Sequence, residues 1–310
     1  MKGIVVVDIG GTKVSAACFD GNLYAEQLIE TKPSRGAESV TGEIARLIAG
    51  TARAGGLDEI AAVGVACPGP LMPSSGIVVK APTLGWIDYP LRDALTRALK
   101  CRVLLENDAN AAAYGEYRYG AGRGCDNMAY VTISTGVGCG LILGGRIVYG
   151  AHEGAGELGH LHVQDDGEPC VCGRRGCLEA YASGTGIAAI ARREAARRGV
   201  PAGEAEMLDA RLVAKKAREG DALCAKIYRQ AGAYLGKAFA ALQMITDVGR
   251  IIVGGSVTAQ LDLLFPALSE TATAQSYWGN DAQRWLLCAE LDPNAGLMGI
   301  GALAADSCQA

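Results

Sequence analysis

His160, Cys170, Cys172 and Cys177 put one imidazole and three thiols within 18 residues of a 310-residue chain. They lie in Gly159-His160-Leu161-His162 and Cys170-Val171-Cys172-Gly173-Arg174-Arg175-Gly176-Cys177, a stretch too polar and turn-rich for three unrelated core thiols. These ligand types at this spacing match a closed tetrahedral Zn²⁺ shell. Four protein ligands leave no coordination position for water, so the ion is expected to be structural and to fix the loop around it. Glu157 and Glu179 flank the ligands in sequence. Held beside a metal, such carboxylates can accept hydrogen bonds from sugar hydroxyls; otherwise they are ordinary surface charge. His162 is expected to pack or face solvent, and His152 has no motif around it.

A second chemistry is written in glycine. Asp8-Ile9-Gly10-Gly11-Thr12-Lys13 sets a carboxylate at a strand end, followed by backbone amides that no side chain obstructs. Asp8 could hold Mg²⁺ while Gly11, Thr12 and Lys13 meet the phosphates of ATP. A plain hairpin would use the same residues. Ser134-Thr135-Gly136-Val137-Gly138 repeats the arrangement, and Gly254-Gly255-Ser256 is a third glycine turn after an apolar strand. Neither of the first two loops is a Walker A sequence or a dinucleotide fingerprint, so P-loop and Rossmann readings drop out.

The third cluster is Glu106-Asn107-Asp108-Ala109-Asn110. Asp108 stands where a helix begins, which makes it either an N-cap or a carboxylate aimed from the sheet into a cleft. The helix dipole should keep it ionised. As the base of a phosphoryl transfer it would need no strongly raised pKa, because it orients the hydroxyl and receives the proton late. Asn107 beside it could bind an adjacent hydroxyl.

These groups need elements to hold them. Residues 3–9 and Val14 to Phe19 read as strands either side of the first glycine turn, with a hairpin turn at Asp20-Gly21. Val40, Ile44, Leu47 and Ile48 share a helical face ended by Gly55-Gly56, and Ile60 to Cys67 form a further strand. The prolines and glycines of 70–90 suggest a loop-rich segment over a site. Val103 to Leu105 is a short strand running into a helix from Ala109 to Tyr117. From Met128 the opening pattern returns: strand Ala129 to Ile133, glycine turn, strand Gly140 to Leu143, hairpin Gly144-Gly145, strand Arg146 to Tyr149. This internal repeat predicts two related lobes. Leu223, Ile227, Ala231, Leu235, Ala238 and Leu242 then hold helical spacing before the strand Arg250 to Val253.

Composition removes other classes. Half the residues are apolar, enough for a large core and more than one domain. The net charge of −4 leaves no electrostatic footprint for nucleic acid, and Arg192-Arg193 with Arg197-Arg198, broken by Glu194, reads as a solvated helix face. The first apolar run stops at Asp8, too short for a signal peptide or a membrane span, so no membrane partner and a cytoplasmic location are expected. In that compartment most of the 11 cysteines should be free thiols.

Taken together, these motifs resemble the ROK family (repressors, open reading frames and kinases), a branch of the actin-like ATPase superfamily. The likeness runs from Asp8-Ile9-Gly10-Gly11-Thr12-Lys13 to Gly296-Leu297-Met298-Gly299-Ile300-Gly301-Ala302, and is most specific in Gly156-Glu157-Leu158-Gly159-His160 and Cys170 to Glu179. It implies an α/β, two-lobed actin-like ATPase (ribonuclease-H-like) fold with the ligand cleft between the lobes. One lobe would comprise 1–117, joined by a C-terminal helix at about 296–310; the other would be 118–295, with the zinc loop and a homodimer surface. By the same resemblance Asp108 is the base, and Gly69, Asn107, Glu157, His160 and Glu179 bind the sugar, His160 using one nitrogen for zinc and the other for a hydroxyl. Gly10, Gly11, Thr12, Lys13, Thr135, Gly136, Gly138, Gly254 and Gly255 would line the nucleotide site, with Asp8 on Mg²⁺. Thr83 stands where many glucokinase-like members have Asn, and Cys139 where glycine is usual, so both bear on substrate choice.

The expected activity is transfer of phosphate from MgATP to a hexose, foremost glucose at O6. N-acetylmannosamine, N-acetylglucosamine and fructose are alternative acceptors, since one Glu-His-Glu frame serves all of them. A ROK repressor would carry a helix-turn-helix ahead of the sugar-binding region, and the strand starting at Gly3 leaves no room for one. The remaining alternatives are a non-catalytic sugar-sensing regulator and a thiol redox protein using Cys170 and Cys172.

Overall fold

The computed structural model describes residues 1–277 and 282–309; positions 278–281 and 310 of the expected lobes lie outside the described residues. Contacts group the chain into two compact units, 1–126 with 140–155 and 290–310, and 127–139 with 156–289.

The first unit opens with β1 (Lys2–Ile9), β2 (Lys13–Phe19) and β3 (Leu23–Glu30), followed by β4 (Glu59–Cys67), β5 (Leu71–Met72), β6 (Ile77–Ala81), β7 (Trp86–Tyr89) and β8 (Arg102–Asn107). Its main sheet has the order β3-β2-β1-β4-β8, antiparallel on the β2 side and parallel from β1 through β4 to β8. Both faces are covered. Because side chains alternate along a strand, Val5, Val7 and Ile9 join the layer made with α1 (Ala37–Ala54) and α2 (Leu91–Leu99), while Val6 faces the opposite layer. That second layer comes from α3 (Asp108–Tyr119) and the C-terminal helix Ala295–Gln309, through Ala111, Leu297 and Ile300. Val5, Val6 and Val7 are all fully buried, which is why β1 reads as a continuous apolar run.

Two expectations from sequence need correction here. The 70–90 segment is not loop-rich: β5, β6 and β7 form a small antiparallel sheet. Val78, Leu84 and Trp86 are buried in the α1–α2 layer, and this long-range packing outweighs the local proline signal. The edge strand β3 went unread because its charged, alternately exposed sequence LYAEQLIE resembles a surface segment.

In the second half, β9 (Met128–Ile133), β10 (Val137–Leu143), β11 (Arg146–Ile147), β12 (Arg250–Gly254) and β13 (Leu286–Cys288) make a sheet of order β11-β10-β9-β12-β13. β12 runs parallel to both β9 and β13, and β10 pairs antiparallel with β11. Position for position this repeats the first sheet, in agreement with the internal repeat. β11 ends at Ile147, two residues short of the expected strand, and Gly138 lies inside β10 instead of in the glycine turn, which spans 134–136. The second unit adds α4 (Glu179–Ala182), α5 (Gly184–Arg197), α6 (Ala202–Glu206), α7 (Ala210–Arg218), α8 (Ala222–Thr246) and α9 (Leu261–Gln275). The helical face read in α8 is buried at Ile227, Ala231, Leu235, Ala238 and Leu242. No described helix is long and apolar enough to cross a membrane.

The first unit depends on close helix approach. A Cβ on Gly299 would stand 1.7 Å from the Ala111 carbonyl oxygen, and one on Gly115 would stand 2.3 Å from that of Ala295. α3 and the C-terminal helix therefore touch backbone to backbone. Helix propensity alone favours alanine over glycine by about 1 kcal/mol. Against that trend, Gly299→Ala is expected to destabilise by about 1–3 kcal/mol, since overpacking must part the helices. A urea melt reads the difference, and an unchanged or raised midpoint would show that the helices do not meet there.

Candidate active site

The carboxyl ends of β1, β4 and β8 carry the acidic groups of the first unit. Strand register sets Asp8 opposite Ala66 and Ala66 opposite Glu106, with Cys67 opposite Asn107. Beyond Asn107 the chain turns into α3, so Asp108 occupies its first residue. The sequence reading gave Asp108 the N-cap as its alternative role. The cap is instead Asn107, whose Oδ1 accepts from the Ala109 and Asn110 amides at 2.9 and 3.2 Å. Asp108 is half-buried, and its Oδ1 accepts from the Ala109 amide at 2.8 Å. Gly69 lies alongside, since a Cβ there would come within 3.3 Å of Asn107 Nδ2. Beneath them, burial pushes the Cys67 thiol well up, and the charges of Asp108 and Asp8 add to the effect. Both acids therefore act on one point of the sheet.

The first glycine turn is strapped at its base. Gly10 donates to the Lys13 carbonyl at 2.9 Å, Thr31 N to the Thr12 carbonyl at 2.9 Å, and Thr31 Oγ1 to the Gly10 carbonyl at 2.7 Å. Thr12 and Lys13 stay exposed at the tip. Thr83 belongs to this turn's surroundings, because a Cβ on Gly11 would meet Thr83 Cβ at 2.8 Å. Burial raises Asp8 to about 6, against the pull of Lys13. Gly296, near the start of the C-terminal helix, faces the same carboxyl group, a Cβ there standing 3.6 Å from Oδ2. That helix end favours an anion and leaves room for a ligand on it.

In the second unit the turn 134–136 meets the third glycine turn: Ser134 Oγ and Ser256 Oγ lie 3.0 Å apart, and a Cβ on Gly255 would stand 2.6 Å from the Ile133 carbonyl oxygen. Thr135 lines the mouth of a cavity of about 280 Å³ there, with Gly184, Arg192, Arg211 and Gln260 also on its wall. Arg192, Arg197 and Arg198 are exposed, as expected of a solvated helix face, and Arg193 is half-buried. Arg192 borders this cavity and Arg193 pairs with Glu168, because α5 turns that side toward the turns and the metal-ligand loop.

Glu179, at the start of α4, accepts from the Val137 amide at 3.0 Å through Oε2, which also stands 2.6 Å from a Cβ on Gly136. It thus holds the second glycine turn with one oxygen. Gly159 packs on the same residue, its Cβ position 2.2 Å from the Val137 carbonyl oxygen, which brings the short helical turn Leu158–His160 to the turn.

His160, Cys170, Cys172 and Cys177 come together, their ligand atoms all within 4.8 Å of one another. Cys170 Sγ lies 3.6 Å from His160 Nδ1, and Cys172 Sγ lies 3.7 Å from Cys177 Sγ. A tetrahedron with metal bonds of about 2.0–2.3 Å has edges of about 3.4–3.8 Å. The donor set fits a metal ion. His160 Nε2 points the other way, 4.0 Å from exposed Glu157 Oε2, so the two ring nitrogens serve different neighbours. Burial holds the Cys170 and Cys177 thiols above their usual range; at Cys172 it acts in the same direction, but Arg174 and the neighbouring thiols outweigh it and bring that group to about 6. Gly176, at φ 76°, lets the loop close, since a Cβ would stand 2.0 Å from the Gln164 carbonyl oxygen. His162 is exposed, between Asp165 Oδ1 at 2.9 Å and the Arg175 carbonyl at 3.2 Å, as expected of a residue outside the ligand set.

Asp8 has a stability signature whose sign can be worked out. An unfolded aspartate ionises near 4, but the folded group ionises near 6, so folding favours the neutral acid and stability is lost as pH rises between those values. Without divalent cations and nucleotide, Asp8→Asn is expected to melt higher than the parent at pH 7, by about 1–3 kcal/mol of stability, and the gain should vanish near pH 4. Equal melting at pH 7 would show that the carboxylate is not strained by burial.

The ROK family model matches residues 4–307. The glucokinase of Streptomyces coelicolor is 32% identical over 313 residues, covering 96% of each chain. The N-acetylmannosamine kinase of Escherichia fergusonii is 32% identical over 303 residues, covering 97% of each. The crystal structure of a ROK family glucokinase from Streptomyces griseus in complex with glucose and AMPPNP superposes with a TM-score of 0.82 at 32% identity, over 98% of this chain and 99% of that one. The fold is accordingly the two-lobed actin-like ATPase class, and the chain belongs to the ROK family.

Proposed function

We propose that this protein phosphorylates a hexose with ATP, with glucose at O6 as the leading acceptor. The observation that carries the reading is the alignment of Asp8 and the Asn107-Asp108 junction at the carboxyl ends of the parallel strands β1, β4 and β8. Ligands of α/β sheets collect at such ends. In this reading a sugar hydroxyl hydrogen-bonds to the Asp108 carboxylate. Its oxygen forms the bond to the γ-phosphorus, the bond from that phosphorus to the bridging oxygen of ADP breaks, and the hydroxyl proton passes to Asp108. ADP leaves with the bond's electron pair. The other residues position and bind.

Asn107, with Oδ1 committed to the helix cap, keeps Nδ2 for a neighbouring hydroxyl, and Gly69 leaves that side open. Glu157, His160 Nε2 and the second oxygen of Glu179 are assigned to further hydroxyls. Gly10, Gly11, Thr12 and Lys13 meet phosphate oxygens, as do Thr135, Gly136, Gly254 and Gly255, with the nucleotide in the cavity beside Thr135. Asp8 would hold Mg²⁺, which neutralises phosphate charge when bound. His160, Cys170, Cys172 and Cys177 would hold a structural Zn²⁺ and so fix the loop behind the hydroxyl-binding groups.

The name of the S. coelicolor relative favours glucose, and that of the E. fergusonii relative keeps N-acetylmannosamine as the second acceptor. N-acetylglucosamine and fructose follow.

A coupled ADP-release assay across glucose, N-acetylmannosamine, N-acetylglucosamine, fructose and allose should give turnover with at least one sugar, glucose foremost. Sugar binding without ADP release from any of them would instead identify a non-catalytic sensor. Asp108→Asn should lower kcat by roughly 10²–10⁴-fold while calorimetric sugar affinity stays close to the parent's; a parental rate removes Asp108 from the chemistry. Cys172→Ser should lose its zinc by elemental analysis and weaken sugar binding by roughly 10–100-fold. Parental affinity in a metal-free variant would break that link.

A further inference from the structure

Glu106 is only 3% exposed. It stands on β8 one residue before the helix cap, in the same row across the sheet as Asp8. Three donors converge on it. Oε1 accepts from the Asn107 amide at 2.9 Å and from Asn110 Nδ2 at 3.1 Å, and Oε2 accepts from the Tyr149 hydroxyl at 2.7 Å. Asn110, itself buried, also gives its backbone amide to Asn107 Oδ1 at 3.2 Å. The strand end, the cap and the first helical turn are thus tied into one hydrogen-bonded unit, and Asp108 is the residue enclosed by it. Tyr149 supplies the only one of the three donors from outside this stretch. Its own carbonyl accepts from the Ala155 amide at 3.0 Å, and Glu153 between them accepts from the Ser74 amide at 3.3 Å, so the segment is itself held.

Burying a carboxyl group costs free energy that an apolar residue of the same size would not. What an apolar residue could not supply is an acceptor for three donors from two separate segments. We infer that Glu106 is a positioning residue for the phosphoryl transfer and that its hydrogen bond from Tyr149 fixes the backbone from which Asp108 projects. This rests on the reading of Asp108 as the base. Glu106 touches no reacting atom in this assignment; it sets the direction of the group that does.

Tyr149→Phe removes one hydroxyl and keeps the ring, and Glu106→Gln keeps the shape while replacing one acceptor oxygen by a donor. Since misplacement by about 1 Å can cost roughly a hundredfold, each is expected to lower kcat by roughly tenfold to a hundredfold, with KM for sugar and for ATP within about threefold of the parent. Both act on one hydrogen bond, so the double variant should be no slower than the slower single one. A cooperative thermal melt confirms that each variant is folded, and if Glu106→Gln does not fold, Tyr149→Phe decides alone. Parental kcat in Tyr149→Phe, a loss confined to KM, or losses that multiply in the double variant would each overturn the inference. Asp108→Asn in the same assay separates the two readings: parental turnover there sinks the base assignment, whereas an inactive Asp108→Asn beside a fully active Tyr149→Phe sinks the positioning role only.

Discussion

An acidic side chain at the end of a buried parallel strand is costly to hold, and the first unit is arranged around holding several. The strand supplies direction, because its successive side chains alternate between layers and its end exposes backbone that nothing in the sheet satisfies. Asp8 on β1 and Glu106 on β8, the strands either side of β4, project from one face of the sheet, toward the layer formed by α3 and the C-terminal helix. That layer must therefore combine apolar contact near Ala111 and Ile300 with polar partners at the sheet's carboxyl edge. Glycine at 115 and 299 brings the two helices to backbone contact, so the start of each lies close above the strand ends.

The buried acids solve the same problem differently, and the differences separate structure from chemistry. Glu116, fully buried, accepts from the amides of Ala121, Glu290 and Leu291, all of them backbone donors that close a loop. Glu106 collects one backbone and two side-chain donors around the helix start. Asp8 is raised to about 6 by burial, against the pull of Lys13, and faces Gly296 near the start of the C-terminal helix. A carboxyl group whose oxygens are taken up by several donors stiffens its surroundings.

The metal-ligand loop of the second unit meets the opposite difficulty. Residues 161–177 carry few apolar side chains and cannot fold on a core of their own. Hydrogen bonds hold the frame, among them Gly176 N to the Glu168 carbonyl and Leu178 N to the Leu161 carbonyl, both near 2.9 Å or shorter, with Tyr234 Oη donating to Gln164 at 2.8 Å. The four ligand atoms finish the closure at the spacing of a tetrahedron's edges. A metal ion there would substitute for the missing core, as in small zinc-stabilised modules.

Much of this was legible in the sequence. Ligand type and spacing in His160 to Cys177, glycine turns after apolar strands and a period of 3.6 in α8 are local signals, carried by residues a few positions apart, so no tertiary information is needed to read them. The repeat of strand, glycine turn and strand is a local signal too, and the two sheets that contain it share one strand order. Tertiary structure decided what depends on residues far apart in the chain. It made a small sheet within the proline-rich 70–90 segment by burying Trp86 in one core cluster with residues of α1 and α2, and it gave the cap to Asn107 and the helix's first position to Asp108. It brought Arg192 to a cavity with the glycine turns and set the Tyr149 hydroxyl on Glu106, 43 residues away. Pairings of that kind carry no periodicity, because which donor reaches a buried acceptor is fixed by strand register and helix packing and not by the residues on either side of it.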